Sequence, residues 1–241
     1  MVRYLKLCIA VTSLVLGLVL PALAQPLPTG AIALTPNQFL TVDNVKITVD
    51  SGNTCNEGTG SCLSNLYVVP DSYPYASVTI EAFEYLGNGN YQQVPILTQS
   101  CGTRCGANYD LSVFLTAQTA SGAAPMTAAS VAITGSIPAG ASGTVVGGTE
   151  TFTGISSNGC ASGLSVSLAS ASATCSFAPS TDINSTKDFM ISGPTGLSGP
   201  NTYTLMTVTE TFKVPEPASL ACLASGVLMV AAVRRRRRRQ V

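Results

Sequence analysis

Apolar residues recur at every second position in several stretches, and that period confines the chain to strands. Val45, Ile47 and Val49 alternate with Asn44, Lys46, Thr48 and Asp50. Leu111, Val113, Leu115 and Ala117 alternate with Ser112, Thr116 and Gln118, with Phe114 on the polar side. Leu164, Val166 and Leu168 alternate with Ser165 and Ser167. Successive side chains of a strand point to opposite faces, so the pattern describes strands with one face on a core. Val78 to Tyr85 reads as another strand, and Gly87-Asn88-Gly89-Asn90 as the turn of a hairpin returning through Tyr91 to Leu97. The longest strand runs from Thr202 to Val214. Its apolar positions are Tyr203 and Leu205, then Met206, Val208, Phe212 and Val214, a slip of one residue that a β-bulge produces. About ten short strands at turn-punctuated spacing over residues 25–213 predict one all-β domain, an antiparallel β-sandwich. Gln25 to Thr35 reads as an extended leader. The Ala-, Gly-, Ser- and Thr-rich stretch from Thr119 to Gly148 is read as a loose strand pair or a mobile loop, with a helix over 126–132 as a further option.

A formal net charge of zero hides a sharp segregation. Arg3 and Lys6 stand at the front and six arginines at the back, which leaves Lys46, Arg104, Lys187 and Lys213 against 12 carboxylates in the whole chain. The interior is acidic, and nucleic acid is excluded as a partner because phosphate contacts need clustered Lys or Arg on the folded domain. The sequence has no His, which removes the usual general base near neutral pH and the commonest metal ligand. No catalytic residue, metal site or cofactor is therefore expected, and the chain reads as a non-enzyme.

Both ends read as addresses. Arg3 and Lys6 precede an uncharged core from Leu7 to Leu20; Pro21 then breaks the helix ahead of Ala22-Leu23-Ala24, with cleavage expected between Ala24 and Gln25. Residues 1–24 are thus a secretory signal peptide, met by the secretion machinery and signal peptidase. At the other end, Val214-Pro215-Glu216-Pro217 is followed by the 16 uncharged residues 218–233. As a helix these span about 24 Å, short of a hydrocarbon core of about 30 Å, and arginine snorkelling can close the gap. Arg234, Arg235, Arg236, Arg237, Arg238 and Arg239 then form a basic stop on the cytoplasmic side of the inner membrane.

The order of those three features, with the signal peptide, resembles the PEP-CTERM sorting signal of bacterial exosortase substrates. The resemblance covers residues 214–241 and nothing before them. Pro215, Glu216 and Pro217 match the motif that names the family, Val214 precedes it, and Arg234 to Arg239 match its basic stop. The resemblance implies recognition by a membrane-embedded, cysteine-protease-like exosortase and removal of the helix near the motif. It also implies transient anchoring in the inner membrane, delivery to the cell surface or medium, and an association with extracellular polysaccharide. Cys222, inside the apolar run, departs from the usual aliphatic and small residues of such tails.

Six cysteines lie between the two ends, as near neighbours: Cys55 with Cys62, Cys101 with Cys105, Cys160 with Cys175. Spacing alone leaves the pairings open; loop-closure entropy favours these local ones, and export makes disulfides plausible chemistry. A zinc site at Cys101 and Cys105 is the weaker reading. Two acidic loops, Asp50-Asn53-Asn56-Glu57 and Asp182-Asn184-Asp188, carry oxygen ligands of the kind calcium uses, although Asn and Asp also populate ordinary turns. Glu81 and Glu84 fall on opposite faces of one strand and make no acid/base pair. Tyr67, Tyr73, Tyr75, Tyr85 and Tyr91 are candidates for an aromatic carbohydrate surface, with the loop at Tyr73 and Tyr75 as its expected centre. The leading expectation is a structural or adhesive exported protein; a carbohydrate- or calcium-binding secreted module is the alternative.

Overall fold

The computed structural model describes residues 24–58, 60–71, 75–141, 145–155, 160 and 162–215. The signal peptide up to residue 23, Tyr73, Glu216, Pro217, the apolar run 218–233 and the arginine cluster lie outside the described residues. In chain order the strands are β1 (Ile32–Ala33), β2 (Phe39–Val42), β3 (Val45–Val49), β4 (Thr54–Glu57), β5 (Gly60–Ser61), β6 (Leu66–Asp71), β7 (Ala76–Gly87), β8 (Asn90–Val94) and β9 (Leu97–Cys101). They continue as β10 (Arg104–Cys105), β11 (Tyr109–Thr119), β12 (Met126–Ser136), β13 (Val146–Thr153), β14 (Leu164–Ser167), β15 (Ser172–Ser180), β16 (Asp182–Ile191), β17 (Gly193–Pro194) and β18 (Asn201–Lys213).

These strands form two eight-stranded antiparallel sheets. The first runs β1-β6-β7-β18-β12-β15, with β8 on β7 and β9 on β18. The second runs β14-β13-β16-β11-β3-β2, with β4 on β11 and β5 on β4; β10 and β17 form a small separate pair. Inward residues of both sheets share one hydrophobic core, to which the first sheet contributes Val68, Ile80, Val131, Leu205 and Phe212 and the second Ile47, Val113, Leu115, Phe189 and Ile191. The fold is the all-β sandwich expected from the alternation. The hairpin at residues 87–90 is present, Gly87 pairing with Asn90.

The phase slip in the last strand is a bulge at the expected place. Thr134 pairs with Thr207 but Gly135 pairs with Leu205, so Met206 is the extra residue. The slip lets β18 serve two neighbours on its other edge: β9 pairs with residues up to Leu205 and β7 from Thr207 onward. With β12 on its opposite edge, β18 is locked on both sides.

Of the readings open for the stretch from Thr119 to Gly148, the described residues show strands and not a helix over 126–132. β12 occupies the middle of it, pairs with β18 and β15, and sends Met126, Ala129, Val131 and Ile133 into the core. Its alanines favour a helix in isolation, but paired edges and a buried face decide the outcome here. The leader is also tied down. Gln25 exchanges backbone hydrogen bonds with Tyr91, and Leu34 is buried after β1 pairs with β6.

Gly148 on β13 marks the closest approach in the second sheet. A Cβ built there would run into Asp188 O and the Cα of Phe189 on β16. Backbone atoms cannot step aside as a side chain can, so Gly148→Ala is expected to destabilise the fold by about 1–3 kcal/mol, read as a lowered urea midpoint.

Candidate functional site

The outer face of the second sheet gathers the two acidic groups that the sequence presents separately. Their meeting line is β11, which lies between β16 and the β3–β4 side. Thr116 on β11 lies 2.7 Å from Asp50 and 2.7 Å from Asn184, Ser112 donates to Asp188 at 3.4 Å, and Gln118 donates to Asp182 at 3.3 Å. Asn56 donates to Asp110 at 3.0 Å, and Asn53 accepts from the Phe114 N–H while donating to Asp50 O. The carboxylates are spent one at a time on hydroxyl and amide neighbours. Among the described residues no three Asp, Glu, Cys or His side chains gather as a metal site. Burial raises the Glu57 carboxyl above its ordinary value, partly opposed by a backbone hydrogen bond from Thr98. Nearby, a groove of about 540 Å³ runs along Gly147, Gly148, Thr149, Ser165, Asp188 and Met190.

The aromatic surface lies on the outer face of β6, β7 and β8. Tyr67 meets Phe83 edge-on with centroids 5.7 Å apart and Tyr91 at 6.3 Å; Tyr85 and Tyr91 are 5.1 Å apart. Cross-strand register explains the cluster, because Tyr85 pairs directly with Tyr91. Tyr85 is 58% exposed, so the cluster presents a ring to solvent. Burial, then the neighbouring Tyr91, push the Tyr67 hydroxyl's pKa up. Glu81, on the same face of β7, has its carboxyl raised by burial first and by Asp71 second. Of the centre expected at Tyr73 and Tyr75, Tyr73 lies outside the described residues, and the Tyr75 ring lies under the Lys213 ammonium, 5.9 Å from its centroid.

The most unusual chemistry is in the core, at residues that the sequence reading passed over. Glu150 on β13 is the register partner of Lys187 on β16, and Glu210 projects from β18 on the opposite sheet. All three side chains are at most 1% exposed. Lys187 Nζ lies 2.8 Å from Glu150 Oε1 and 2.7 Å from Glu210 Oε2, and it donates to Ser185 Oγ at 2.8 Å. Beyond this ion pair neither Glu150 oxygen finds a further partner, and Glu210 Oε1 and the buried Tyr203 hydroxyl have none. Burial first, and the Glu210 carboxylate second, hold the Glu150 carboxyl well above the usual range against the pull of Lys187. Burial disfavours the Lys187 ammonium, but the two carboxylates outweigh it and its pKa rises. A signal was available. Lys187 shares the inward phase of Ile183, Phe189 and Ile191, and Glu210 that of Val208 and Phe212.

The six cysteines pair as loop closure favours: Cys55–Cys62, Cys101–Cys105 and Cys160–Cys175, with Cα separations of 5.1, 5.1 and 5.3 Å. The first closes the β4–β5 hairpin and the second joins β9 to β10. The third ties the connection between β13 and β14 to β15 of the other sheet. Ala24 and Gln25 stand at the start of the described chain, Ala24 exposed. At the other end β18 stops at Lys213; Val214 and Pro215 continue beyond it, and Pro215 has no N–H to carry a ladder further. Among the described residues no helix is long and apolar enough to cross a membrane.

Searches of curated proteins and of solved structures return no match to the chain. A family model does match, that of the PEP-CTERM protein-sorting motif, over residues 213–238. It begins at the residue where the locked strand β18 ends. The chain therefore carries at its C-terminal tail a PEP-CTERM protein-sorting signal, which implies an exported protein sorted by exosortase.

Proposed function

We propose that this is a non-enzymatic surface or extracellular-matrix protein, structural or adhesive in role and acting among extracellular polysaccharide. The observation that carries the proposal is the sorting motif set directly on the end of β18, the doubly flanked strand of a disulfide-stapled sandwich. Force or proteolysis applied at the tail would meet a strand held on both edges, which suits a body built to be anchored and then exposed outside the cell. The non-enzymatic part draws support from a sequence without His and from Glu150 and Glu210, whose burial keeps them from any polymer. The reading includes a signal peptidase cut between Ala24 and Gln25, passage through the inner membrane, and removal of the tail by exosortase.

Intact mass of the protein from its native host, in cell-bound and released fractions, tests this. The expected product begins at Gln25, ends near Val214 to Pro217, and is lighter than its reduced form by the hydrogens of three disulfides. A membrane-bound chain that keeps Arg234 to Arg239 overturns tail removal and describes a permanent single-span protein.

A carbohydrate-binding role is the second reading, favoured by the solvent-facing ring of Tyr85 beside Tyr91 and Tyr67. Sugar faces stack on such rings while neighbouring amides and carboxylates hydrogen-bond the hydroxyls. The expected result is a glycan-array signal lost in the Tyr85→Ala, Tyr91→Ala double variant; an unchanged signal removes this surface from consideration.

A further inference from the structure

The buried triad needs an explanation that packing does not supply. Two carboxyls and an ammonium are placed where apolar side chains would serve, and three of the four carboxyl oxygens have no hydrogen-bond partner. Each such buried atom carries a desolvation cost, and a buried ion pair is a poor way to gain stability. The geometry has a chemical use instead. Lys187 Nζ is 2.8 Å from Glu150 Oε1, so the Glu150 carboxyl carbon is within about 4 Å of the nitrogen. Two amine hydrogens are directed at Ser185 Oγ and Glu210 Oε2. Its third close contact is the Glu150 carboxyl, at ion-pair distance.

We propose that Lys187 Nζ and Glu150 Cδ condense in the folded chain to an intramolecular amide, with Glu210 as the catalytic carboxylate, and that one water is released. The step begins with Lys187 as ammonium, Glu210 ionised and Glu150 protonated. Glu210 Oε2 takes a proton from Nζ, which frees the lone pair. Nζ attacks Glu150 Cδ and the C–N bond forms. As the tetrahedral centre collapses, the C–O bond to one Glu150 oxygen breaks, and that oxygen leaves as water with protons relayed through Glu210. The ammonium's three hydrogens and the one on Glu150 become one amide hydrogen, two in water and one kept by Glu210. No oxidant, metal or cofactor is required.

Burial from bulk solvent favours the product. In water, hydrolysis is driven by ionisation of the acid and the amine; in this core those ions are what burial penalises, and the amide with a protonated Glu210 leaves no charge behind. Fixed proximity supplies the rate, since well-oriented intramolecular reactions reach effective molarities of about 10⁵–10⁸ M. The raised pKa of Glu150 supports the neutral, electrophilic form that the step uses. The inference does not depend on sorting or on the surface role, because it needs only the folded sandwich.

The test is a peptide map of the full chain from its native host, reduced and alkylated so that disulfides do not contribute. Trypsin cuts after Lys187 in an unmodified chain; the expected result is that this cut is lost and residues 105–213 persist as one peptide lighter by one water. A second digest with chymotrypsin is expected to give a branched peptide that joins the segment holding Glu150 to the segment holding Lys187. Lys187→Arg should abolish the water loss, and Glu210→Gln should slow its appearance about 100-fold or more after refolding from denaturant. The wild-type map decides the matter even where a variant fails to fold. Ordinary cleavage after Lys187 at full sequence mass overturns the proposal, and a branch at Glu210 instead of Glu150 overturns its assignment of roles.

Discussion

Lys187→Met is expected to cost at least about 3–5 kcal/mol of stability at about pH 7, more in a chain whose amide has formed. The variant fills similar volume but removes the ammonium that pairs with two carboxyls at most 1% exposed. Its sign with pH is fixed by the same groups. Glu150 is already held above its ordinary value in the presence of Lys187, and without that charge its carboxyl favours protonation still more. The folded variant then binds more protons than the unfolded chain, whose carboxyls titrate near 4.5. Stability therefore falls as pH rises above that value, and is recovered as pH falls towards it. Urea titrations at about pH 5 and about pH 7 should show the Lys187→Met deficit shrinking in acid. Adding Glu150→Leu and Glu210→Leu to Lys187→Met should restore much of the lost stability at neutral pH, because the cost lies in unpaired buried charge. A deficit that is independent of pH would show instead that lost packing, not charge, is responsible.

The second large effect is expected at Cys160–Cys175. Their separation of 15 residues is the longest of the three, against 7 and 4. Chain-entropy estimates give about 3 kcal/mol for a loop of that length and about 2 kcal/mol for the shortest. This bridge also ties the β13–β14 connection of one sheet to β15 of the other, whereas the Cys55 and Cys101 bridges close local turns. Cys160→Ser with Cys175→Ser should thus lower the denaturation midpoint more than Cys101→Ser with Cys105→Ser. Equal losses in the two double variants would contradict the ranking.

The strands were legible because burial on one face writes a period of two into the sequence, as in Val45-Lys46-Ile47-Thr48-Val49. The bulge at Met206 was legible for the same reason: an extra residue shifts the apolar phase by one. β12 was legible as one option among a loose strand pair, a loop and a helix, because its run of Ala, Ser and Thr carries little contrast between faces, and pairing with β18 and β15 fixes it as a strand. The acidic groups were visible individually but as turns, whereas Asp182, Asn184 and Asp188 lie on β16 and Asn56 and Glu57 on β4; their shared face was not visible, since Asp50 and Asn184 meet through Thr116 on an intervening strand. Tyr67, Tyr85 and Tyr91 were legible as aromatic candidates, but that Tyr85 stands against Tyr91 is set by cross-strand register.

By itself the sequence determined the strand period, the favoured cysteine pairings and the tail motif at residues 213–238, each a local pattern readable within a few tens of residues. The tertiary structure alone decided what stands in the core. Lys187 was readable as a charge on an inward phase, but its two carboxylates come from positions 37 residues before and 23 after it, on a neighbouring strand and on the opposite sheet. Sheet order and sandwich packing set that meeting. No local spacing encodes it, because the energy that brings those strands together comes from the apolar residues around the triad and not from the triad itself.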